Sequence, residues 1–213
     1  MREIISNLRT EILESDDGKQ RYVLRKCWDE SKPSLGVLML CPSSSGEVAV
    51  DTSTSLVLSN CYRLGYGSVT IVNLFSTIND FDLKEADDED PENLQAILDA
   101  AKSASCFVVG CGTGKSKNAK FHQRLEQVLL ALRPYEDKLC CLCDKNGGSK
   151  YLHPLSPRVR EWHLMPLKVS ELIDIPVEET EAKKKGKSKP SSKKNGAVDD
   201  GSLPRFIGAG SNT

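Results

Sequence analysis

Four short apolar runs constrain this chain more than any other feature. They are residues 35–40 (Leu-Gly-Val-Leu-Met-Leu), 68–75 (Ser-Val-Thr-Ile-Val-Asn-Leu-Phe), 105–110 (Ser-Cys-Phe-Val-Val-Gly) and 138–143 (Lys-Leu-Cys-Cys-Leu-Cys). Each has strand length and is apolar at nearly every position, as a strand buried on both faces requires. Segments of helical periodicity separate them. In 51–64, Leu56, Val57, Cys61 and Leu64 recur at helical spacing, Asp51 or Thr52 offers a cap, and Gly65 supplies a stop. Pro91 sits where a first helical residue belongs and opens a helix over 91–102. Phe121, Leu125, Val128, Leu129 and Leu132 give 119–133 an amphipathic stripe.

That alternation predicts an α/β fold, a parallel sheet of four strands or slightly more, flanked by helices. Residues 20–28 alternate imperfectly and are expected to form a further strand. Residues 76–90 read as an acidic loop with a short helical turn, and 164–173 as a return to the body. Together, 1–177 are expected to form one domain. Residues 178–213 are rich in Lys, Ser and Gly and carry eight Lys or Arg against five Asp or Glu, a balance of +3. Their apolar content is too low to offset ordering entropy, so a disordered tail is expected. With a net charge of -1 overall, the body carries -1 minus +3, or -4. It therefore has no basic field of the kind that announces duplex DNA.

No apolar run approaches the roughly 20 residues that span a bilayer, and the N-terminus lacks a signal-peptide core. Eight cysteines without an export signal are expected to be reduced, in a cytoplasmic protein. Cys140 and Cys143 have C-x-x-C spacing, but they fall inside an apolar run and read as small core residues. Neither a metal nor a cofactor is expected, and neither is a membrane partner.

In a parallel sheet the ligand crevice lies at the C-terminal strand ends. The loops expected there are 41–46, 73–76, 110–116 and 144–157. The third carries Gly114-Lys115-Ser116, but Val109 stands where a phosphate loop needs its first glycine. A glycine-rich turn around Gly112 that aims backbone N–H groups at an anion remains open beside a plain strand-to-helix turn. Asn73 ends an apolar strand with a carboxamide, which offers a donor and an acceptor to a base edge. Asp51 either caps its helix or holds water and balances a cation. Phe75 either stacks on a base or packs. In Tyr151-Leu152-His153-Pro154-Leu155-Ser156-Pro157, two prolines exclude α-helix and hold His153 in one orientation. Histidine is the natural proton donor near neutral pH, although a plain proline-rich turn has the same composition.

Several ordered blocks carry a family resemblance. They are Arg21-Tyr22-Val23-Leu24-Arg25-Lys26-Cys27-Trp28, Leu40-Cys41-Pro42-Ser43, Asp51-Thr52-Ser53-Thr54, Gly65-Tyr66-Gly67 with Val72-Asn73-Leu74-Phe75, and Tyr151-Leu152-His153-Pro154-Leu155. On these the chain resembles domain of unknown function 1643. The block order is also similar to that of the uracil-DNA glycosylase superfamily. There a proline-containing loop follows the first core strand, an asparagine ends a later strand, and a late histidine-proline loop closes the pattern.

The second resemblance implies a three-layer fold and a flipped base bound in a pocket. It implies that His153 stabilises charge on the departing base, that Asn73 reads the base edge, and that Asp51 or Ser43 positions water. Pro42, Ser43, Phe75 and Gly112 would then line the substrate site. Cys41 stands where an asparagine or aspartate is common in that superfamily, and Leu155 where a serine follows the proline. Three readings stay open. One is a glycosylase-like enzyme on a nucleotide, nucleoside, or single-stranded or modified DNA. The others are a non-catalytic binder of the same ligands and a protein-interaction or inhibitor module.

Overall fold

The computed structural model describes residues 1–44, 46–85, 90–112, 118–147 and 151–170. The chain divides into a unit of Met1–Ile175 and one of Pro176–Thr213. The second unit, with the Lys/Ser/Gly-rich tail 178–213, lies outside the described residues, as does Gly114-Lys115-Ser116.

The four apolar runs form four adjacent parallel strands. These are β3 (Ser34–Met39), β4 (Ser68–Asn73), β5 (Cys106–Val109) and β6 (Leu139–Cys143), preceded by β1 (Arg9–Glu14) and β2 (Arg21–Cys27) and followed by β7 (His163–Pro166). The sheet order is β1-β2-β4-β3-β5-β6-β7. Pairing is parallel for β4–β3, β3–β5 and β5–β6, and antiparallel for β1–β2, β2–β4 and β6–β7. The expectation of an all-parallel sheet of about four strands is thus corrected to a seven-stranded mixed sheet with a parallel centre. β1 and β2 form a hairpin, β2 then lies against β4 far along the chain, and β7 returns to β6 without an α-helix between them among the described residues, so none of the three enters by a right-handed helical crossover.

Helices α1 (Thr52–Arg63), α2 (Pro91–Ser103) and α3 (Ala119–Leu132) connect the parallel strands. Each begins on a side-chain cap: Asp51, Asp90 and Asn118 accept from the backbone N–H three residues on. Alternation along the strands then sorts side chains between two cores. Val72 and Leu38 join Ile97, Ala101, Phe121 and Leu129 of α2 and α3. Ile71, Val37 and Met39 join Val57 and Cys61 of α1, with Val159 and Trp162 from the late loop. Each fully buried Leu, Ile or Phe contributes about 1.5–3 kcal/mol to holding these layers. Gly36 permits the closest approach within the sheet, because a Cβ there would lie 2.4 Å from the Phe107 ring.

One irregularity breaks the alternation. Leu13 pairs with Val23, but Glu14 pairs with Arg21, so Tyr22 is an extra residue on β2. Tyr22 borders the same surface depression as Glu92, Gln95 and Ala96 of α2, and Val23 packs on the α2 core as well. Two consecutive residues therefore share a face, and Arg21 is turned to the α1 side along with Leu24. Re-aiming a side chain in this way is a known effect of β-bulges.

Candidate functional site

The first strand of the parallel centre, β3, lies between β4 and β5, so the connections leave it in opposite directions. A crevice at the C-terminal strand ends is the geometric result. A cavity of about 290 Å³ lies there. Its walls include Met39, Val57, Ile71, Phe81 and Leu155, and its polar lining includes Arg21, Ser43, Asp51, Asn73 and the first turn of α1.

The loop after β3 is shaped by hydrogen bonds to its backbone. The Pro42 carbonyl accepts from Asn79 N at 2.8 Å, and the Ser43 carbonyl accepts from Arg21 Nη1 at 3.0 Å. Ser43 Oγ then donates to Asp51 Oδ2 at 2.5 Å. Asp51 is also the cap of α1, accepting from Thr54 N at 2.8 Å and from Thr54 Oγ1 at 3.0 Å. The capping role and the cavity position are held by the same carboxylate. Cys41 lines the cavity too, and its thiol donates to the Asp80 carbonyl at 3.4 Å.

Asn73 is the last residue of β4, opposite Met39 of β3, on the α1 face. It is 1 % exposed, and among the described residues its Nδ2 has no hydrogen-bond partner. Its backbone is fixed from the other face of the sheet, where Asn93 Nδ2 donates to the carbonyls of Asn73 and Leu74 at 3.1 and 3.2 Å. A buried donor without an acceptor costs about 1–3 kcal/mol. That cost is recovered when a ligand supplies the acceptor.

His153 is held from three directions. Ser156 N donates to its carbonyl at 2.8 Å, closing a turn with Pro154 in the second position. Leu155 N donates to His153 Nδ1 at 3.1 Å. A backbone N–H is always a donor, so Nδ1 carries no proton and the neutral ring bears its hydrogen on Nε2. Behind the ring stands Gly112, where a Cβ would lie 2.8 Å from His153 Cβ, and whose φ of +73° suits glycine. Burial holds His153 below its ordinary pKa, and the Asp51 carboxylate opposes that shift. The prolines keep the segment out of α-helix, although Pro157 opens a single 3-10 turn through Val159.

The expected residues thus fall into two groups. Asp51, Ser43 and Asn73 line the cavity; His153, which packs on Gly112 and feels the charge of Asp51, precedes the lining residue Leu155 by two. Pro42 is buried within the loop and does not line the cavity. Phe75 is fully buried in the α2–α3 core, and the aromatic residue at the cavity is Phe81, 51 % exposed. Phe75 is two residues beyond Asn73 and beyond the end of β4, and Phe75 N bonds to the Leu40 carbonyl. Among the described residues no cluster of three or more His, Cys, Asp or Glu is arranged to hold a metal.

Two cations escaped the sequence reading. Arg21 is 3 % exposed and lines the cavity. Burial pulls its pKa down, while Asp51 and Glu14 pull it back. Lys26, also fully buried, donates to Thr10 Oγ1 and to the Glu47 carbonyl, both at 2.9 Å. Burial lowers its pKa, and the positive charge of Arg21 lowers it further. The available signal was the Arg-Tyr pair opening the family pattern, where a charged residue occupies a strand that must be buried.

A family model described as "Protein of unknown function (DUF1643)" matches residues 21–155. No curated protein and no solved structure matches the chain. The match spans more than half of the sequence, and the chain belongs to that family.

Proposed function

We propose, taking that family membership as the premise, that this protein recognises a nucleobase or nucleotide in the cavity at the ends of β3 and β4. One observation carries the reading: the buried, unpartnered amide of Asn73 at the end of an apolar slot. A planar heterocycle fits between walls such as Met39, Ile71 and Phe81, and its edge supplies what a carboxamide lacks. Hydrophobic walls with a few placed polar groups are the general form of such sites.

His153 extends the reading from binding to reaction. A neutral imidazole with its proton on Nε2 is a hydrogen-bond donor suited to negative charge developing on a departing base. In the hydrolytic form, the glycosidic C–N bond breaks and the base leaves with the bonding electrons. Water attacks the sugar carbon, its oxygen becomes the sugar hydroxyl and its proton ends on the departed base, with Asp51 and Ser43 orienting that water. This is the chemistry that the resemblance to the uracil-DNA glycosylase superfamily implies. A parallel sheet centre between helices, with a late histidine-proline loop at the strand ends, supports the comparison and the three-layer architecture that goes with it.

A specific observation favours the non-catalytic form. Both Asp51 oxygens accept hydrogen bonds within the cap of α1, and Cys41 supplies a thiol where a water-handling group is common. The two forms separate in one experiment. Free base is measured after incubation with nucleosides, nucleotides, and single- and double-stranded DNA carrying modified bases. Release that disappears in His153→Gln, with an unchanged folded spectrum, establishes the enzyme. Ligand binding without release, lost in Asn73→Ala, establishes the binder. Failure of every such ligand to bind overturns both.

A further inference from the structure

Part of the cavity wall is built from donors. The first turn of α1 lines it through Thr52, Ser53 and Thr54. The leading N–H groups of a helix have no intrahelical acceptor and carry partial positive charge. Asp51 takes that of Thr54, and the helix does not consume those of Thr52 and Ser53. Asn73, 1 % exposed and unpartnered at Nδ2, points into the same cavity and is independent evidence that a ligand completes it.

Charge adds a second argument. The bulge on β2 brings Arg21 onto the face that carries Leu24 and Lys26. Lys26 reaches only neutral oxygens among the described residues, those of Thr10 and the Glu47 backbone. Of these two buried cations, Arg21 lines the cavity and feels the partly buried carboxylate of Asp51, with the exposed Glu14 acting on it from the rim. Buried charge is costly unless it is compensated. An anion at the start of α1 adds to the compensation that Asp51 and Glu14 give Arg21. The acidic body, at -4 over residues 1–177, opposes the polyanion of a duplex but admits a small anion.

We infer that the start of α1 and Arg21 bind a phosphate, and that the ligand is a free nucleoside monophosphate whose base lies against Asn73. This rests on the nucleobase reading above and narrows it. Guanidinium and helix N-termini are the standard partners of phosphate, the first through paired N–H donors and the second through backbone N–H groups.

The test is calorimetric titration of the full chain with the common nucleoside 5′-monophosphates, the matching nucleosides, inorganic phosphate and a single-stranded oligonucleotide. At least one monophosphate is expected to bind about ten-fold or more tighter than its nucleoside. Arg21→Gln collapses that ratio. Thr52→Pro provides a second variant that keeps the helix, because proline is favoured at the first helical position and Asp51 is already extended at φ -71°, ψ 168°. It removes one N–H and narrows the ratio several-fold. Equal affinity for nucleosides and monophosphates overturns the phosphate site and leaves the nucleobase reading standing. Binding of the oligonucleotide without any mononucleotide overturns it in favour of strand recognition. Binding of none overturns both.

Discussion

Both faces of the sheet bury asparagine and arginine side chains, and the amide N–H groups of Asn93 and Asn73, one on each face, are used in opposite ways. On the α2–α3 face, Asn93 spends its amide N–H groups on the carbonyls of Asn73 and Leu74. Arg124, 1 % exposed, donates to the Leu74 and Asp90 carbonyls and to Gln127. These side chains close the backbone where β4 leaves the sheet. On the α1 face, Asn73 keeps its Nδ2 unpartnered at a cavity, and Arg21 lines that cavity. Burial of a polar residue therefore does not mark a site. The destination of the amide N–H groups distinguishes the two asparagines, and on the α2–α3 side they brace the backbone that carries Asn73.

The contrast is broken most forcefully at Asn93. Asn93→Ala leaves two backbone carbonyls without that donor and is expected to cost about 2–4 kcal/mol. Asn73→Ala is expected to change stability by less than about 1 kcal/mol, because no intramolecular hydrogen bond of Nδ2 is lost, while abolishing ligand binding. Chemical denaturation of the two variants side by side is the measurement. Equal destabilisation would show that Asn73 is structural, and the distinction between the faces would fall.

A smaller effect sharpens the histidine side of the cavity. Gly112→Ala forces a Cβ into a left-handed residue 2.8 Å from His153 Cβ. About 1–3 kcal/mol of stability is expected to be lost through that strain, together with affinity, as His153 is displaced. Retained affinity in a folded Gly112→Ala protein would separate His153 from the ligand.

The smallest effect is in pH. His153 is held below its ordinary value of 6.5, first by burial. The unfolded chain then binds the proton more readily, so this residue's contribution to stability is present above 6.5 and is lost as pH falls from there toward the folded value. The charge of Asp51 limits the size of the loss. His153→Gln is expected to flatten a plot of denaturation midpoint against pH in this window. An unchanged slope would mean that the ring is not desolvated.

Much of this was legible in the chain. The four parallel strands and the three helices follow from apolar runs and helical periodicity, with ends within a few residues of those observed. Asn73 and Asp51 fell at strand and helix ends, where polarity changes abruptly. The outer strands were harder. β1, Arg-Thr-Glu-Ile-Leu-Glu, holds only two apolar residues, side by side and without alternation, and the antiparallel direction of β2 depends on a partner far along the chain. Phe75 and Phe81 show the limit at the site itself. Both follow β4 closely, and only the path of the backbone after Asn73 decides which ring is buried. Arg21 was hidden for a related reason, since counting from Leu24 by twos places it on the wrong side.

That miscount has a consequence of its own. A strand behaves as a wave of period two, and Tyr22 inserts half a wavelength. Everything upstream of it on β2 is shifted in phase relative to everything downstream. Removing this single residue would restore a regular wave and leave the guanidinium on the α1 side, whereas a regular strand that kept Tyr22 would send it to the opposite side. The chemical identity of the crevice is thus written partly in residue number, because Arg21 reaches it only where the strand absorbs one residue out of phase.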